Sequence, residues 1–155
     1  MKNYKNRTVQ GAIIIAVFAI GLLVGRQITY RKFAAYPLNS MRTLSMVSIQ
    51  GEIARTQYLN ANHKEAKAAL LNYINFLDDL KLRGMVEKEE YFNSGSYYVL
   101  RGLSYGRLAL LEERAGNTAE AKMNMQEAIK VFQMVGWKDS SEAVIRHALD
   151  QLDKK

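Results

Sequence analysis

Asn62-His63-Lys64-Glu65-Ala66-Lys67 and, 55 residues further on, Asn117-Thr118-Ala119-Glu120-Ala121-Lys122 share their asparagine, glutamate, alanine and lysine in register. The same offset pairs Gly51 with Gly106, Ala54 with Ala109 and Ile74 with Ile129. It also sets Ile53 against Leu108 and Leu70 against Met125. Seven of the 24 positions from 51 to 74 are identical, more than one offset gives by chance, so the chain carries two copies of a supersecondary unit. Each copy reads as a helix start. Asn62 and Asn117 are set to cap free amides, and the glutamate three residues on is set to reach back in a capping box. Beyond the caps, Ala66, Leu70, Tyr73, Ile74 and Leu77 recur at three-and-four spacing, as do Ala121, Met125, Ala128, Ile129 and Phe132. These are the buried stripes of amphipathic helices.

Ala61 and Gly116 fall in the turn before each start, and a helical run precedes each turn. The first covers about 38–59, with Met41, Leu44, Val47 and Ile53 on its apolar side. The second covers about 91–114, with Tyr98, Leu103, Leu108 and Leu111. Gly84 ends the long helix that begins near Asn62, and Gly136 and Trp137 mark a later break. Asp139-Ser140-Ser141-Glu142 reads as a further capping box, opening a last helix with Val144, Ile145, Ala148, Leu149 and Leu152. Nothing alternates with period two long enough for a strand. A single proline, Pro37, also suits long helices, because proline removes a backbone donor and clashes inside one. The expectation is an all-α domain over residues 38–155, about five helices in antiparallel hairpins.

The chain resembles the tetratricopeptide repeat family. The second copy matches better: Leu108 and Ala109 in its first helix, Gly116 in the turn, then Ala121 and Ala128 in its second. The resemblance implies that Ala66 and Ala121 let paired helices approach closely, and that the array binds other proteins. Departures are plain. Gln50 and Tyr105 stand where tryptophan is usual, Gln57 and Glu112 where tyrosine is usual, and Tyr73 where alanine is usual. No closing proline follows either copy. The spacing is 55 rather than about 34 residues, so about twenty extra residues, roughly 76–96, lengthen a helix or insert a segment.

On the N-terminal side, residues 1–35 read as a membrane anchor with basic flanks. No residue from Thr8 to Gly25 is charged, and Gly11–Gly25 is wholly apolar. Eighteen residues of helix reach about 27 Å, close to a bilayer's hydrocarbon core of about 30 Å. Lys5, Arg7, Arg26 and Arg31 suit the headgroups, and Tyr4 and Tyr30 the interface. A cleaved signal peptide needs small residues at the last and third-last positions before the cut. Cleavage after Gly25 puts Leu23 in the third-last place, and cleavage after Ala35 puts Phe33 there, so an uncleaved single-pass anchor is expected. Three basic residues precede the span and four follow it before any acid, which discriminates orientation weakly. The short basic tail favours a cytoplasmic N-terminus, with the domain outside, periplasmic on a bacterial inner membrane. Gly21 and Gly25 form a G-x-x-x-G that suits close packing of two membrane helices, although small residues are common in such helices anyway.

The formal net charge of +7 belongs to those flanks. Residues 1–59 carry eight basic side chains against one acid, Glu52, and the remaining 96 carry fourteen of each sign. A nucleic-acid binder carries its basic patch on the folded part, so no nucleic-acid partner is expected. The absence of cysteine excludes disulfides and thiolate metal sites. His63 and His147 stand apart, neither with a second ligand at helical spacing, so neither metal nor cofactor is expected. The acids Asp78, Asp79, Glu87, Glu89 and Glu90 alternate with Lys81, Arg83 and Lys88 and read as solvated faces. An enzyme would need them to converge in one pocket.

Aromatic residues gather instead at Tyr91, Phe92, Tyr97, Tyr98 and Tyr105. Most suit a core, and those left on a concave surface suit a partner. With Arg101 and Arg107 placed to hold a carboxylate, the candidate partner-binding residues are Tyr91, Tyr97, Tyr98, Arg101, Tyr105 and Arg107. The expected function is a membrane-anchored interaction scaffold or accessory subunit rather than an enzyme. The alternative is an integral structural subunit of a larger membrane complex.

Overall fold

A computed structural model describes residues 41–88 and 92–154, and all regular structure among them is helical. Helix α1 covers residues 41–60, α2 His63–Leu82, α3 Met85–Lys88, α4 Ser94–Arg114, α5 Thr118–Met134 and α6 Glu142–Asp153. None of the described helices is long and apolar enough to cross a membrane. The expected span at 8–25, with Gly21 and Gly25, lies outside the described residues, as do Pro37 and Tyr91.

The caps follow the sequence unevenly. Asn62 caps α2 as expected, its side chain accepting from the Glu65 amide at 3.1 Å. Asn117 precedes α5, yet its side chain makes no capping bond. Its amide donates instead to Glu112 Oε2 at 2.6 Å, because a charged acceptor outcompetes a backbone cap. The second run starts at Ser94 rather than near 91, where Asn93 accepts from the Ser96 amide at 2.9 Å. The last helix starts at Glu142 rather than Asp139. Asp139 instead closes a local turn by accepting from the Ser141 amide at 3.0 Å. Gly84, Gly116 and Gly136 take φ of 66°, 80° and 73° just past their helices, the left-handed region where a side chain is strained.

Helix α4 lies at the centre, in contact with α2, α3, α5 and α6. One buried cluster joins Val47, Ala54 and Tyr58 of α1 to Leu70, Ile74 and Leu77 of α2 and to Leu108 and Leu111 of α4. A second joins Leu103 and Ala109 of α4 to Met125, Ala128 and Phe132 of α5 and to Ile145 and Leu149 of α6. Removing each large aliphatic side chain from water contributes about 1.5–3 kcal/mol. The extra residues between the copies do both things expected of them. They lengthen α2 to 20 residues against 17 in α5, and they add α3, tucking Val86 and Phe92 into the first cluster.

The two copies bury matching positions: Ala54 and Ala109, Leu70 and Met125, Leu77 and Phe132. The first helix departs from its expected face. Met41, Leu44 and Ile53 are exposed, and Thr43, Val47, Ala54 and Tyr58 are buried. Met46, Ile49 and Ile53 form an apolar stripe on the opposite side, so hydrophobicity alone misassigns the buried face of this helix.

Candidate partner-binding groove

A groove of about 610 Å³ runs between α1 and α4 and is closed at one end by Leu152 of α6. Leu44, Val47, Val99, Leu100 and Leu103 supply apolar walls. Gly51 supplies space: a Cβ there would stand 2.8 Å from the Tyr73 hydroxyl, so only glycine lets that ring pass beneath α1 to the groove floor. Burial pushes the Tyr73 phenol up to about 12, against a small opposing pull from the charge of Arg107.

The polar end of the groove is an ion-pair network. Arg107, itself buried, donates through Nε to Asp153 Oδ2 at 3.0 Å and through Nη2 to Oδ1 at 2.7 Å. Arg55 donates to the same Oδ1 at 3.1 Å and to the Leu152 carbonyl at 2.9 Å. Glu52, on the exposed rim, accepts from Arg55 at 3.3 Å. The sequence fits this arrangement locally. Gly51, Glu52 and Arg55 share one stretch of α1, and Leu103 and Arg107 stand one helical turn apart on α4.

The expected tyrosine and arginine candidates divide between two places. Tyr97, Tyr98, Arg101 and Tyr105 meet α2. The Tyr97 hydroxyl donates to Asp78 Oδ1 at 2.6 Å, and Arg101 Nε donates to the same oxygen at 2.9 Å. Lys81 donates to the Tyr98 hydroxyl at 2.7 Å and lies over both the Tyr97 and Tyr98 rings, while Arg101 lies over Tyr105. Burial is the largest influence raising the Tyr97 phenol, and the hydrogen bond to Asp78 adds to it. Burial acts to lower Arg101, but the hydrogen bond and charge of Asp78 and the Tyr105 ring leave it raised. Arg101 and Arg107 each hold a carboxylate of the chain itself, Asp78 and Asp153. They do not converge on one, since six residues turn a helix by about 600° and leave them on different faces. Asp78 is therefore a bridge between α2 and α4, whereas Asp79 pairs along its own helix with Arg83 as a surface charge.

The buried carboxylate of Glu112 lies where the copies meet. Oε2 accepts from Asn117 at 2.6 Å and faces His63 Nε2 at 3.2 Å. Lys67 Nζ stands 2.8 Å from Oε1 at an angle that leaves Oε1 without a well-directed hydrogen bond. Lys67 also reaches Glu120 at 2.6 Å. Burial, the largest influence, pushes the Glu112 carboxyl up, but the Lys67 and Asn117 contacts and the Lys67 and His63 charges together hold it below the ordinary glutamate range. Among the described residues no group of histidines and acids is arranged to hold a metal ion. Comparison of the chain with protein-family models, with curated proteins and with solved structures gives no match.

Proposed function

We propose that the chain is a membrane-anchored scaffold or accessory subunit that binds a partner protein in the groove between α1 and α4. The observation that carries this reading is the groove itself: apolar walls about 610 Å³ in extent, a polar end built from Arg55, Arg107 and Asp153, and Tyr73 on the floor. Bound segments are held in this way elsewhere, by apolar contact and a few directed polar groups. The two matched hairpins, α1 with α2 and α4 with α5, followed by α6, support a tetratricopeptide-like array. Stacked helical pairs of that kind leave an extended binding surface. The uncharged stretch at 8–25 supports a single membrane span, which would raise the local concentration of the groove beside the bilayer. Gly21 and Gly25 would allow that span to pack against another.

The test is co-purification of the full-length protein from its native membranes in mild detergent. Leu44→Glu places a charge on the groove wall at an exposed position. Met123→Glu places one on the exposed part of α5, outside the groove. The expected result is that Leu44→Glu strips the partner and Met123→Glu retains it. Retention in both variants would overturn the groove, and equal loss from both would favour an integral structural subunit.

A further inference from the structure

The groove contains one donor that the fold leaves unused. Tyr73 is 4% exposed and lines the groove floor, yet its hydroxyl makes no hydrogen bond with any described residue. Buried polar groups are normally partnered, so an unpartnered phenol at a cavity surface marks a place for an acceptor. The architecture does not demand it, because the matching position of the second copy is Ala128. Beside it, two guanidinium groups share one buried carboxylate. Asp153 is the last residue of α6, where the helix dipole disfavours a negative charge, so Arg55 and Arg107 are what hold it in place. The other charged group at this end, Glu52, is two-thirds exposed and touches only the outer nitrogen of Arg55.

We propose that the groove receives an apolar partner segment bearing an acidic side chain, and that Asp153 is the chain's own stand-in for that carboxylate. The partner's carboxylate takes the place of Asp153 against Arg107 and Arg55, and its neighbouring backbone carbonyl accepts from the Tyr73 hydroxyl. Its aliphatic side chains lie on Val47, Val99 and Leu103. Charge complementarity selects the acid, and the unused phenol selects an acceptor close to it. The inference rests on the binding function proposed above and names the chemistry of the partner.

The test uses the full-length protein in detergent micelles and a dye-labelled, C-terminally amidated peptide of alternating leucine and aspartate, eight residues long. Saturable binding is expected by fluorescence anisotropy. Tyr73→Phe should weaken it about tenfold, the worth of one hydrogen bond, with unfolding unchanged because the hydroxyl has no partner in the fold. Asp153→Asn should tighten binding about fivefold or more by removing the competitor. The leucine–asparagine peptide with a free C-terminus should bind far more weakly, which separates a side-chain carboxylate from a terminal one. The inference is overturned by no saturable binding, by equal binding of the asparagine peptide, by an indifferent Tyr73→Phe, or by Asp153→Asn that leaves binding unchanged or weaker. If these fail while Leu44→Glu still strips the native partner, only the partner's chemistry is wrong. If Leu44→Glu also retains it, the groove reading falls as well.

Discussion

At the residue scale the most consequential side chain outside the groove is Glu112, a carboxylate with no exposed area, closed over by Lys67, His63 and Asn117. Glu112→Gln removes the charge while keeping the shape. Lys67 is one-third exposed and retains Glu120, so its ammonium is not stranded, and the cost should be about 1–3 kcal/mol in urea unfolding. The pH dependence has a definite sign. The folded carboxyl lies below its ordinary range, so the unfolded chain takes up the proton first as the solution is acidified. The stabilisation is complete above the ordinary glutamate range and is lost as pH falls through the lower folded value. Glu113 is also held low, by its hydrogen bond to and the charge of Arg146, so Glu112→Gln should make the acid limb of a stability–pH curve shallower without flattening it. Tyr97→Phe is a milder change. It deprives Asp78 of one donor and leaves Arg101, for an expected loss of about 0.5–1.5 kcal/mol by the same measurement. The sequence shows Glu112 only as a residue standing where its resemblance suggests tyrosine. Its partners at 63 and 67 lie in the other copy, and no local spacing connects them.

Elements were legible in proportion to how one-sided they are. Every residue of the α2 stripe from Ala66 to Leu77 that periodicity selects is buried, because the other side of that helix is mostly charged or polar. Helix α1 is apolar on two sides, and there the pattern pointed to Met41, Leu44 and Ile53 while the fold buries Thr43, Ala54 and Tyr58 beside Val47. The asparagine–glutamate pair predicted two equal caps, and the structure keeps one, since a tertiary carboxylate captured Asn117. Close approach of helices was also hidden in the sequence. A Cβ at Gly102 of α4 would stand 2.9 Å from the ring of Phe132, and that ring is backed by Trp137 stacked at 4.3 Å, so it has little room to move. Gly102→Val should therefore destabilise by about 2–3 kcal/mol in thermal or urea unfolding, overpacking outweighing the small gain in helix propensity. A change within about 0.5 kcal/mol would show that α4 and α5 separate more easily than their packing implies.

For the whole molecule, the duplication at 55 residues was readable because matched positions carry matched burial, and it led to an all-helical domain. The groove was not readable. Its walls come from α1, α4 and α6, its floor from α2, and the arginine that belongs to it, Arg107, stands beside an aromatic cluster that faces α2 instead. Tyr73 showed in the sequence only as a departure from alanine, and Gly51 only as one member of a repeated pair. Their joint meaning needs the distance between them. Photo-crosslinking in native membranes is the most direct test of the groove as the binding face. It places benzoylphenylalanine at Ser48, on the groove wall, and separately at Met123, on the exposed side of α5. A single defined adduct from Ser48 and none from Met123 is the predicted result; an adduct from Met123 alone, or none from Ser48 while the partner still co-purifies, would contradict it.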